Sequence, residues 1–282
     1  MKSLLIVSTK GSSGRTTLTC LLARHLQCTC HWRVLVLDLA EPPRCAHLLA
    51  RYRYDVIVSC NRVVEPVDSA RSASGGCVHV LNANAIDGLL SHDDPACTRY
   101  YANLRHLLSA VAPWFDVCLV DAPALPDLRA VCAEALVDAV LSPIAVSPEC
   151  INCASEVING TYGVRSIRAR LNPALRFTGI LPVVAIPVAM KEAWVKVMET
   201  TLREWLIADP ASPRGYAWLP HLRSVGRTEP FTPADSDAAP RDADVPEDIR
   251  AGAACLDVLA HRLEAIQDGI VPALRDAEVC DA

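Results

Sequence analysis

Leu4-Leu5-Ile6-Val7-Ser8-Thr9-Lys10-Gly11-Ser12-Ser13-Gly14-Arg15-Thr16-Thr17 is the stretch on which the reading of this chain turns. An apolar run that reads as a buried strand leads into a Gly/Ser turn, and a helix-forming segment, Leu18 to Leu26, follows at once. This order builds a phosphate cradle. Glycines let backbone N–H groups converge on an anion, the helix N-terminus adds its dipole, and Thr16 offers a hydroxyl suited to Mg²⁺. Where such loops carry a lysine, this one holds Arg15.

Working outward, Arg33 to Asp38 reads as a second buried strand that ends in a carboxylate, and Pro42-Pro43 then breaks the chain before a short helix over Cys45 to Ala50. Asp55 to Val58 reads equally as strand or loop. Cys77 to Asn82 is a strand, and Tyr101, Leu104, Leu107, Leu108 and Val111 form one stripe of a helix over Thr98 to Val111. The second informative stretch is Trp114 to Pro123, in which Val117-Cys118-Leu119-Val120 sets Asp121 at the C-terminal end of a strand. Ligands collect at such ends in open α/β sheets, and a carboxylate there holds Mg²⁺ directly or through water. A strand-terminal aspartate also caps helices, so Asp121 gains weight only beside the loop at 10–17.

Ala139 to Val146 is a further strand, Ser147-Pro148-Glu149 opens a helix, Phe177 to Val184 is a strand, and a helix runs from about Met190 to Ile207. Four prolines and five acidic residues between Gly226 and Glu247 mark an acidic loop, and Ile249 to Ile266 carries a last amphipathic helix. Strands alternating with helices predict one α/β domain over residues 1–268, a doubly wound, mostly parallel sheet with helices on both faces, followed by a short tail at 269–282.

Composition narrows the function classes. The 282 residues are 51% apolar with a formal net charge of −5, so contact with nucleic acid requires a local basic patch, for which Arg203, Arg214, Arg223 and Arg227 are candidates. The apolar run near Met1 is too short for a signal peptide and no run reaches membrane-spanning length, which predicts a cytoplasmic protein. The 13 cysteines are scattered through strand-like and helix-like positions, as reduced core residues are. His25, Cys28, Cys30 and His31 cluster without a second ligand pair at zinc-finger spacing, and Cys150-Ile151-Asn152-Cys153 is a C-x-x-C in a chain rich enough in cysteine to produce one by chance.

Lys10-Gly11-Ser12-Ser13-Gly14-Arg15-Thr16-Thr17 resembles the deviant Walker A motif, KGGxGKTT, of the ParA/MinD family. Leu35 to Pro42 resembles that family's Walker A′ strand and turn, Val117 to Pro123 its Walker B, and Leu141 to Pro148 and Gly179 to Pro182 its next strands. The resemblance implies ATP and Mg²⁺ as cofactors, an ATP-sandwich homodimer, an adaptor that stimulates slow hydrolysis, and non-specific DNA as a partner in partitioning or plasmid maintenance. It places Lys10 on the signature lysine that reaches across the dimer, Gly11, Ser12, Ser13, Gly14, Arg15, Thr16 and Thr17 around phosphate, Thr16 and Asp121 at the metal, and Asp38 or Glu41 near the attacking water. Two departures bear on turnover. Arg15 keeps the loop charge on a bulkier planar fork, and the second Walker A′ aspartate is Ala40. Slow or impaired hydrolysis follows, and the alternative is a non-hydrolysing scaffold in a secretion, conjugation or polysaccharide-export system. A small-molecule kinase or synthetase lacks any acceptor-site motif in this chain.

Overall fold

The computed structural model describes residues 1–11, 13–50, 58–59, 76–82, 94–183, 192–220 and 247–266. Seven strands, β1 (Lys2–Ile6), β2 (Arg33–Asp38), β3 (Val58–Ser59), β4 (Cys77–Asn82), β5 (Val117–Asp121), β6 (Ala139–Ala145) and β7 (Arg176–Val183), form one sheet in the order β3-β4-β2-β5-β1-β6-β7. Every pairing is parallel. The doubly wound α/β fold read from the alternation of strands and helices is the fold observed.

Each central strand is apolar throughout because helices cover both faces of the sheet. Leu4 and Ile6 of β1 join Val34, Val36, Val117 and Leu119 in one core, while Leu5 and Val7 join Leu35, Leu37, Cys118 and Val120 in the other. The first core is closed by α1 (Arg15–Cys30), α2 (Cys45–Ala50) and α8 (Glu247–Glu264). The second is closed by α3 (Asp94–Val111), α4 (Leu128–Glu134) and α6 (Val164–Arg170). A third, smaller cluster joins the β6–β7 edge to α5 (Pro148–Asn159) and α7 (Glu192–Thr201) through Ile151, Ala154, Ile158, Met198 and Leu202.

Several local expectations shift. The helix expected over Thr98 to Val111 begins at Asp94, and Tyr100 is its fully buried aromatic, with Tyr101 packed at the margin. The helix expected to reach Ile207 ends at Thr201, after which a 3₁₀ turn, Arg203–Trp205, swings the chain back along β7. There Ile207 N–H donates to the Ile180 carbonyl. Gly179 permits this approach: its φ is +137°, and a Cβ would lie 2.8 Å from both the Trp205 carbonyl oxygen and Ile207 Cγ1. Helices α4 and α6 have no counterpart among the expected elements. The start of the helix expected from Met190, residues 51–57 of the uncertain stretch, the acidic loop up to residue 246 and the tail at 269–282 lie outside the described residues.

Glu134, in the last turn of α4, is wholly buried, and neither carboxylate oxygen has a hydrogen-bond partner among the described residues. Burial pushes its pKa from 4.5 up to about 8. The folded protein therefore holds a proton here that the unfolded chain releases above pH 4.5, so this site's contribution to stability declines as pH rises from about 4.5 to about 8. Glu134→Gln removes the ionisation. Urea melts are expected to match wild type at about pH 5 and to favour the variant by on the order of 1–3 kcal/mol above pH 8, and a gap that does not widen with pH refutes the assignment.

Candidate functional site

Three strand ends meet at the carboxyl edge of the sheet. The register sets Ile6 of β1 beside Asp121 of β5, and Asp121 beside Asp38 of β2. Both aspartates are fully buried. The loop that leaves β1 turns over them into α1, and Gly14, at φ +85°, occupies the N-cap position. No side chain caps this helix and its first turn contains no acidic residue, so its leading N–H groups remain open to an anion from outside the helix. Gly11 lies beside open space, with nothing within 4 Å of where a Cβ would stand.

Below the loop, Thr16 Oγ1 donates to Asp121 Oδ2 at 2.7 Å, and Cys45 Sγ approaches the same oxygen at 3.5 Å. Asp121 Oδ1 has no hydrogen-bond partner among the described residues. Burial first, and the neighbouring Asp38 in addition, raise the Asp121 pKa to about 6, against the bonds from Thr16 and Cys45 and the charge of Arg15. A hydroxyl, a buried carboxylate and a free oxygen atom form a hard-donor set suited to Mg²⁺. Asp38, Cys45 and Asp121 form the cluster of metal-ligating types among the described residues. His25 instead sits 2.9 Å from Asp257 of α8, and burial lowers its pKa while that aspartate opposes the shift.

Both carboxylate oxygens of Asp38 accept backbone N–H groups. One oxygen accepts from the Ala40 N–H at 3.1 Å, and the other from the Arg44 and Cys45 N–H groups at 2.7 and 2.8 Å. It thereby ties the Walker A′ turn to the start of α2. Glu41 is exposed and pairs with Arg129 at 3.2 Å, while Arg129 is itself gripped by Asp127 at 2.8 Å.

Arg15 turns inward. Its Nη1 donates to the Lys10 carbonyl at 2.7 Å and to the Ser8 hydroxyl, which also meets Ser13 Oγ at 2.8 Å. Partial burial lowers its pKa, with Asp121 opposing the shift. The guanidinium thus braces the loop from within. Lys10 points elsewhere, with Nζ 3.5 Å from Glu149 at the start of α5, and both side chains are substantially exposed. Thr17 is exposed at the mouth, and Ser12 lies outside the described residues.

A cleft of about 730 Å³ opens over this arrangement. The loop from Gly11 to Thr17 forms one wall, and Ala40, Glu41, Pro42, Arg44, His47 and Leu48 form the other. Sequence reasoning missed Arg44, which immediately precedes α2, and His47 within it; only the tertiary fold brings both to the cleft lined by the loop.

No family model matches the chain. Protein IncC of Escherichia coli is 27% identical over 191 residues, 64% of this chain, and the chain spans half the length of that relative. Among solved structures, a Cyanothece McdA variant in complex with ATP superposes with a TM-score of 0.61 at 16% identity, covering 92% of this chain and 96% of the other. Cobyrinic acid a,c-diamide synthase from Mycobacterium smegmatis, with ADP and magnesium bound, gives 0.60 at 15% identity over 94% and 96%. The ParA of pNOB8, bound to nonspecific DNA, gives 0.53 at 14% identity over 94% and 99%. Identities this low establish the fold, which is common to all three.

The left-handed Gly14 supports a direct check. A Cβ there meets only Val183 Cγ1 at an ordinary 3.5 Å, so Gly14→Ala is opposed by backbone strain alone, about 1–2 kcal/mol. The expected result is a melting temperature lower by roughly 2–3 °C, and an unchanged melting curve contradicts the loop geometry.

Proposed function

We propose that this chain, which has the ParA/MinD P-loop fold, is a switch that binds ATP with Mg²⁺, dimerises around the nucleotide and hydrolyses it slowly or not at all. The observation that carries this reading is the uncapped N-terminus of α1 standing over the Thr16–Asp121 pair. Loop N–H groups and the helix dipole receive phosphate, and Thr16 and Asp121 hold the ion. Bound there, Mg²⁺ neutralises phosphate charge. The buried, unsatisfied Asp121 Oδ1 is the structural sign that these residues fit a cation.

Lys10 is the residue through which nucleotide controls assembly. Its exposed pairing with Glu149 is worth at most about 1 kcal/mol, so the ammonium is cheaply released to a phosphate presented by a second copy. A cation that reaches its phosphate only when two subunits meet makes the dimer conditional on nucleotide.

Turnover is the weak part of the machine. Ala40 has no carboxylate, Asp38 is occupied by three backbone N–H groups, and Glu41 is drawn to Arg129 at the rim. With no carboxylate at Ala40 and the other two already engaged, no group is dedicated to orienting water, which favours a long-lived ATP state and keeps the non-hydrolysing scaffold as the second reading. No described helix is long and apolar enough to cross a membrane.

For DNA, the charge distribution favours a surface other than the one first considered. Arg214 is engaged by Glu199 at 3.5 Å and lies 5.5 Å from the Trp218 ring, whereas Arg203 is exposed beside Glu204, and Arg223 and Arg227 lie outside the described residues. Residues 157–191 contain Arg165, Arg168, Arg170, Arg176 and Lys191 and no acidic residue, in a chain of net charge −5. The four arginines are exposed on and beside α6. Phosphate backbone is the polyanion we assign to that face.

Two measurements test the reading. With Mg²⁺-ATP, size-exclusion chromatography with light scattering is expected to report a dimer for wild type and a monomer for Lys10→Ala; an ATP-dependent dimer that survives in the variant removes the role in trans. Arg165→Glu with Arg168→Glu should weaken retention of nonspecific DNA at least tenfold and flatten its salt dependence, and equal retention by the variant rules that face out.

A further inference from the structure

We propose that Arg44 is the residue that distinguishes a nucleoside triphosphate from a diphosphate in this cleft, by binding the terminal phosphate from the side opposite the loop. The inference rests on the nucleotide-binding reading and adds to it a residue for which the Walker motifs have no role.

The reasoning begins with what the other cations are doing. Arg15, in the position of the usual loop lysine, spends its guanidinium on the Lys10 carbonyl and the Ser8 hydroxyl of its own loop. Lys10 points out to Glu149, and Arg129 is held between Asp127 and Glu41. Arg44 is exposed, lines the cleft, and its guanidinium has no hydrogen-bond or ionic partner among the described residues.

The two acidic groups closest to it in sequence have other partners. Asp38 uses both oxygens on backbone N–H groups, and Glu41 is paired with Arg129. One of those N–H groups is that of Arg44 itself, bound at 2.7 Å, so its backbone is clamped to the buried end of β2 while its side chain remains free. His47, one turn further along α2, lines the same wall. The result is an exposed guanidinium, without a partner among the described residues, in the same cleft of about 730 Å³ that the uncapped N-terminus of α1 lines.

An anion extending from the loop toward that wall is the ligand such an arrangement recognises. The guanidinium presents parallel donors that match phosphate oxygens in pairs, which a single ammonium does not. A diphosphate held at the loop leaves the wall unused, and the added phosphate of a triphosphate reaches it. Discrimination then comes from Arg44, while the loop supplies affinity common to both nucleotides.

The experiment is titration calorimetry of the full chain with ADP and with a non-hydrolysable ATP analogue, both with Mg²⁺, for wild type, Arg44→Ala and Arg44→Lys. Thermal melts first establish that the variants fold as wild type does. Arg44→Ala is expected to lose at least tenfold in affinity for the triphosphate and less than threefold for ADP, with Arg44→Lys intermediate. Equal losses for both nucleotides, or no loss for either, overturn the assignment while leaving nucleotide binding intact. A wild-type chain that binds neither nucleotide overturns the binding reading and this inference together.

Discussion

Two carboxylates side by side in a dry interior are the constraint around which the carboxyl edge of this sheet is built. Parallel register makes Asp38 and Asp121 neighbours, and both are fully buried. Burial, and the charge of Asp38 in addition, raise the cost of ionising Asp121, and both carboxylates are met by donors. Asp38 receives three backbone N–H groups, which fix the turn after β2 and the first residues of α2. Asp121 receives Thr16 and the Cys45 thiol, which fix α1 and α2 against the end of β5. One oxygen has no hydrogen-bond partner among the described residues, and the proposed function assigns it to a cation.

The same arrangement explains the odd residues of the loop. An arginine is too long and too broad to serve as a point charge at the loop's centre, so it folds back to brace the loop from within. That brace holds the backbone in shape for phosphate while withdrawing one positive charge from the cleft. The remaining positive groups, Lys10 at the edge and Arg44 on the far wall, stand where a second subunit or a longer anion reaches them. The proposed function thus divides affinity, assembly and discrimination among different residues of one site.

Much of the fold was legible because a parallel sheet covered on both faces writes its strands as unbroken apolar runs: β2, β4 and β5 stand at the positions expected, β6 and β7 lie within a residue of them, and β1 begins two residues before its apolar run. Helices α4 and α6 were not legible, since seven residues span about two turns and leave too short a period to stand out. The early end of α7 escaped for another reason. Its apolar pattern continues through Leu202, Trp205 and Ile207, but those side chains pack from a 3₁₀ turn and an extended segment running beside β7. At the site, Thr16 and Asp121 could be paired from their motifs, whereas the commitment of Asp38 to backbone N–H groups could not, because it depends on how the turn through Ala40 closes.

By itself the sequence determined the strand–loop–helix around residues 4–26 and the alternation that makes a doubly wound sheet, both consequences of local pattern and chain order, while the family resemblance set Thr16 beside Asp121. Tertiary structure alone decided which charges are spent and which are free. Arg15 and Arg44 look equally available as letters and both line the cleft, yet the Arg15 guanidinium is bonded to its own loop while that of Arg44 has no partner among the described residues. The reason is physical: a guanidinium is neutralised or left exposed by the donors and acceptors that packing brings within about 3 Å of it, and that neighbourhood is a property of the fold.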